Sequence, residues 1–68
     1  KPYGLYLEDC HDVVMTGCTL LDTRATPLTE RGIEWRGGGG GSLIANCRGN
    51  RPWNLPPEVR TTGNVVDG

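Results

Sequence analysis

Gly4-Leu5-Tyr6-Leu7-Glu8, near the start of the chain, is answered by Gly32-Ile33-Glu34-Trp35-Arg36 further on. Both stretches read glycine, apolar, variable, apolar, charged, which is the period-two pattern of a strand with one buried face. The likeness continues downstream. Val13-Val14-Met15-Thr16-Gly17-Cys18-Thr19-Leu20 follows the first stretch, and Ser42-Leu43-Ile44-Ala45-Asn46-Cys47-Arg48-Gly49 follows the second. Gly4 lies 14 residues before Cys18 and Gly32 lies 15 before Cys47, so one extra residue falls in the run Gly37 to Gly41. A shorter third copy, Val59 to Gly68, has Gly63-Asn64 where the others have Gly17-Cys18 and Asn46-Cys47.

A repeat of this kind has a physical meaning. Each copy offers short strands that cannot bury their apolar face alone, and stacking the copies supplies the missing face. Strands are expected near residues 4–8, 13–16, 32–36 and 42–45, parallel and about 4.8 Å apart. Leu5, Leu7, Val13, Met15, Ile33, Trp35 and Ile44 should point inward, with Tyr6, Glu8, Glu34 and Arg36 outward. Aligned copies put Glu8 beside Arg36 and Tyr6 beside Glu34, as cross-strand surface pairs. Ile44 depends on the glycine run, because a one-residue slip would bury Leu43 instead.

The segment Gly4 to Leu20 resembles one coil of the pectate-lyase-like right-handed parallel β-helix superfamily, whose coils repeat a glycine, alternating apolar residues and then Gly-Asn or Gly-Cys. The resemblance implies an all-β fold, a right-handed parallel β-helix (solenoid) fragment. Coil 1 would span about 1–24, a loop about 22–31, coil 2 about 31–52 and a partial coil 3 about 53–68. It also implies an inward ladder of Cys18, Cys47 and Asn64. The parent implied is a carbohydrate-associated protein, secreted or at the cell surface, with a polysaccharide ligand and adjacent coils of a longer chain as its partners. Polysaccharide lyases and glycoside hydrolases belong to this superfamily. So do non-catalytic solenoids of adhesins and tailspikes, which are the alternative. The second copy departs from the pattern through its glycines, and the third is incomplete.

Composition narrows the field further. Seven basic against eight acidic residues leave a net charge of -1, which gives no electrostatic case for nucleic acid or an anionic membrane. No apolar run approaches a membrane span. The chain opens Lys1-Pro2-Tyr3 without an initiator Met or a signal-peptide profile, as expected of a piece of something longer. Cys10, Cys18 and Cys47 include no CxxC pair, so zinc-ribbon and thioredoxin readings fail. Cys10 and His11 are adjacent and would point to opposite faces of a strand. No metal and no cofactor is expected, and buried thiols are the simpler reading.

Candidates for chemistry are few. Asp9 and Asp12 straddle His11, and paired carboxylates can support glycosidic hydrolysis. The Asn-x-Asp, Asp-Asp and Gly-His-Gly motifs of the pectin hydrolases are nevertheless absent. Asp9, Asp12 and Arg36 are too few for the calcium cluster and arginine base of a lyase. No catalytic set is identifiable, and whether the parent is an enzyme stays open. Tyr6 and Trp53 are the candidates for stacking on a sugar ring. Trp53 lies in Arg51-Pro52-Trp53-Asn54-Leu55-Pro56-Pro57, which reads as a rigid, proline-braced crossing, and a lid on the solenoid wall is the favoured reading of its Trp. Asp22 to Arg31 reads as a polar connector containing Pro27. Gly37 to Gly41 reads as a flexible turn unable to hold a strand, not a phosphate cradle, because no Gly-Lys-Ser/Thr follows.

Overall fold

The computed structural model describes residues 3–26 and 28–67. Pro27, counted above as a loop signal, lies outside the described residues, as do Lys1, Pro2 and Gly68. The strands in chain order are β1 (Tyr3–Cys10), β2 (Val14–Thr16), β3 (Thr19–Leu20), β4 (Arg31–Gly38), β5 (Leu43–Ala45), β6 (Arg48–Gly49), β7 (Trp53–Asn54), β8 (Arg60–Thr62) and β9 (Val65–Val66). The described residues contain no helix. Every third strand pairs, giving three sheets in the orders β1-β4-β7, β2-β5-β8 and β3-β6-β9. All six pairings are parallel. The chain thus makes three successive passes, each laying one strand on each sheet, and the four strands expected from the repeat are all present.

Register follows the repeat. Leu5 partners Ile33, which partners Trp53, and Met15 partners Ile44, which partners Thr61. Ile33, Trp35, Ile44, Cys47 and Val59 form the buried cluster, with Leu5, Leu7, Val13 and Met15 packed against it. The middle pass is covered on both sides, so Ile33 and Ile44 are fully buried while their first-pass partners are only half-buried. Leu43 is half-buried, so the slip that the glycine run would have allowed does not occur.

The glycine run absorbs the extra residue in a specific way. Cys10 partners Gly38, but Val14 partners Leu43. The offset between first and second pass therefore grows by one between these points. Where the ladder breaks, the buried Ser42 Oγ accepts from the Val13 amide at 3.0 Å. A hydroxyl thereby satisfies a donor that would otherwise be orphaned.

The corners are built from left-handed residues. Asp9, Asp12 and Asn46 have φ of 53°, 55° and 55°, a region L-residues enter rarely and Asn and Asp most readily. Each stacks on a glycine in the same conformation: Asp9 on Gly37 (φ 74°), Asp12 on Gly41 (φ 74°) and Asn46 on Gly63 (φ 64°). The Asx side chain occupies the space a side chain on its glycine would need.

Two sequence expectations hold in register but differ in detail, and two need correction. Glu34 faces outward as its period predicts, yet it is only 4% exposed, because Arg31, Arg36 and Asn54 close over its carboxylate. Glu8 and Arg36 are register partners, but Arg36 binds Glu34 of its own strand. The glycine run does hold strand: Gly37 and Gly38 end β4, because main-chain pairing to β1 offsets their lost entropy. The proline-braced crossing contains β7, whose Trp53 and Asn54 pair with Ile33 and Glu34.

Candidate functional site

The outer face of the first sheet brings aromatic and charged side chains into contact. Strand alternation sends Tyr6 and Glu8 of β1 and Glu34 and Arg36 of β4 to this face, and β7 adds Asn54 beside Glu34. The Tyr6 ring stacks on Tyr3 with centroids 5.8 Å apart and planes inclined by 21°. The Arg36 guanidinium lies 5.7 Å from the Tyr6 ring centre, within reach of a cation–π contact. It also donates to the Tyr3 hydroxyl at 3.3 Å.

Glu34 is the anchor of this face. Its carboxylate accepts from Arg36 Nε at 2.8 Å and from Asn54 Nδ2 at 3.1 Å, and Arg31 Nε stands at 3.4 Å. The Arg36 hydrogen bond, followed by that of Asn54, holds the carboxyl below its usual range, because donors favour the charged form. The Tyr6 hydroxyl donates to Glu8 Oε1 at 2.7 Å. That bond raises the Tyr6 pKa, since the proton must leave an acceptor that holds it. The result is a fixed charged floor under an aromatic ring that remains 42% exposed.

The carboxylates singled out from sequence sit elsewhere. Asp9 and Asp12 are exposed corner residues, and His11 lies between them with its Nδ1 near Gly40. All three overlie the glycine run of the next pass, so the structure gives the two aspartates a conformational task. No group of three or more His, Cys, Asp or Glu side chains that could hold a metal occurs among the described residues. Trp53, the other saccharide candidate, is half-buried and packs against the core. Its Nε1 is buried without a hydrogen-bond partner, close against Gly32 and Gly49.

One residue with a clear task carries no signal in the sequence. Asp22 is 8% exposed and organises the loop after β3. Its carboxylate takes the Arg24 guanidinium, the Arg24 amide at 3.3 Å, and the Leu28 and Thr29 amides at 2.9 Å each. Arg24 first, then the Thr29 amide, press the carboxyl far below its usual range. Asn50 of the next pass clamps the Asp22 main chain from both sides, accepting from its amide at 2.9 Å and donating to its carbonyl at 2.7 Å. Arg51 Nε donates to the Thr29 carbonyl at 2.6 Å. An open cleft of about 180 Å³ lies between this loop and the sheet, bordered by Gly4, Leu20, Thr29, Gly32 and Arg51. Every strong polar group on its loop side is already satisfied internally.

Among the described residues no helix is long and apolar enough to cross a membrane. Comparison with known protein families, characterised proteins and solved structures finds no match to this chain.

Proposed function

We propose that this chain is a stretch of right-handed parallel β-helix, of the pectate-lyase-like kind, that contacts an extracellular polysaccharide through the outer face of its first sheet. The observation that carries the reading is the Tyr6 ring, 42% exposed, with Tyr3 stacked against it and the Arg36 guanidinium 5.7 Å from its centre. An amphipathic ring of this kind stacks on the apolar face of a sugar. Arg36, Glu8 and Asn54 around it offer donors and acceptors for hydroxyl and carboxyl groups. The floor is already fixed by the Glu34 network, so little side-chain freedom is lost on contact.

The same reading explains the open ends. Among the described residues the outer edges of the first and third passes carry no partner strand. Val65 and Val66 are 53% and 40% exposed, and a mouth of about 290 Å³ is lined by Trp53, Leu55, Thr61, Asn64 and Val66. Further coils of a longer parent are the natural cover for such edges. Because Asp9 and Asp12 serve the corners, this stretch contributes contact and support, with any lyase or hydrolase chemistry residing on other coils. Secretion or surface display follows from the polysaccharide partner.

The test is binding of the chain to a panel of immobilised neutral and uronic-acid oligosaccharides, with Tyr6→Ala alongside. Binding that weakens about tenfold or more in Tyr6→Ala, a loss of about 1.4 kcal/mol, supports the reading. Unaltered binding in the variant, or none to any glycan by the native chain, overturns it.

A further inference from the structure

We infer that Cys18 and Cys47 form an oxidisable pair, a disulfide site that staples the first pass to the second. The two residues are stacked equivalents. Thr19 partners Arg48, and Thr16 partners Ala45. On either side of the pair, the Gly17 amide donates to the Ala45 carbonyl at 3.2 Å and the Arg48 amide to the Cys18 carbonyl at 2.8 Å. Parallel neighbours so bracketed lie about one strand spacing apart, roughly 4.8 Å, inside the roughly 4.4–6.8 Å between Cα atoms that a disulfide spans.

The thiols themselves are oriented alike. Cys18 Sγ lies 3.7 Å from the Thr16 carbonyl, and Cys47 Sγ lies 3.4 Å from the Ala45 carbonyl. Those two carbonyls belong to register partners, so the sulfurs hang from equivalent points in successive passes. Cys47 Sγ also lies 3.8 Å from the Met15 carbonyl, which places it toward the first pass, where Cys18 is. Both thiols are free. Cys10 stands apart, partnered by Gly38, which has no side chain to offer.

Exposure sets the order of events. Cys18 is half-buried in the outer pass, whereas Cys47 is 2% exposed. A low-molecular-weight disulfide of the glutathione class is therefore attacked first by the Cys18 thiolate. That step forms a mixed disulfide and releases one small thiol. The Cys47 thiolate then attacks Cys18 Sγ, closing the protein disulfide and releasing the second small thiol. The protein loses two electrons and two protons, and the small disulfide is reduced to two thiols. Forming the bond needs the stacked side chains to rotate toward a dihedral near 90°, away from the Thr16 and Ala45 carbonyls. The bridge spans two passes, so it constrains the unfolded chain and raises the melting midpoint by roughly 10 °C.

The experiment is oxidation of the full chain with glutathione disulfide, read by thiol count, intact mass and non-reducing peptide mapping, on the native sequence and on Cys10→Ser. The expected result is loss of two of the three thiols in the native chain. A peptide linking Cys18 to Cys47 should appear in both proteins, with the higher melting midpoint in each. Retention of all thiols overturns the inference. So does a glutathione adduct on Cys18 that never resolves, a bridge involving Cys10, or a bridge between two chains.

Discussion

Asp9 and Gly37 are stacked corner residues on neighbouring strands, both left-handed, and the Asp9 carboxylate fills the place where a side chain on Gly37 would go. The relationship recurs with Asp12 over Gly41 and Asn46 over Gly63. It gives the two aspartates beside His11 a conformational role, and it separates two costs of replacing a corner glycine.

Gly17 has the same left-handed backbone, φ 65°, but nothing lies within 4 Å of where its Cβ would stand. Gly17→Ala should therefore cost only the left-handed penalty, about 1–2 kcal/mol. Gly37→Ala adds displacement of Asp9 and should cost more. Urea denaturation of the two variants measures the difference. Equal costs would mean that the Asp9 side chain does not occupy the Gly37 site.

Asp9→Gly and Asp12→Gly should leave stability close to native, because glycine adopts the left-handed conformation without strain. Thermal melts of the two variants check this. A loss of several degrees in either would assign the carboxylate a bonding role beyond the corner.

Acid should weaken the fold through two carboxylates. Asp22 and Glu34 both have pKa values depressed by guanidinium and amide donors. Their contribution is complete above the ordinary carboxylate range, about pH 4. It is lost as pH falls through their lower folded-state values. Asp22→Asn with Glu34→Gln should lower stability at neutral pH and flatten its decline in acid. Denaturation midpoints across that range are the measurement, and an unchanged acid slope would contradict the assignment.

Trp35, at 2% exposure, is the largest fully buried side chain. Trp35→Ala should cost about 3–5 kcal/mol, a large share of the 5–15 kcal/mol typical of whole domains. Circular dichroism should find the variant largely unfolded at room temperature. Tyr6→Ala, on the outer face, should remain folded under the same conditions.

The sequence made the strands legible where a period of two ran long enough to be read. Leu5 and Leu7 against Ile33 and Trp35 establish the first sheet, and the Cys18, Cys47 and Asn64 positions establish the offset between passes. What stayed hidden depends on partners distant in the chain. β7 is two residues among prolines, held as strand by its pairing to β4. Gly37 and Gly38 are strand only because Asp9 and Cys10 lie beside them. Glu34 alternates outward by period, but its burial comes from Arg31, Arg36 and Asn54. Asp22 looked like any loop aspartate, since the amides it binds lie six and seven residues later. The aromatic half of the candidate face was legible as Tyr6 alone, because its stacking on Tyr3 and the approach of Arg36 follow from the register of β1 and β4.

Three passes stack in parallel in the register described, and nuclear Overhauser contacts test this arrangement most directly. The backbone of Met15 should show contacts to Ile44, and Ile44 to Thr61, with matching contacts from Leu5 to Ile33 and from Ile33 to Trp53. Antiparallel contacts between the strand ending at Cys10 and the strand starting at Val14, with none between Met15 and Ile44, would contradict the fold and the face built on it.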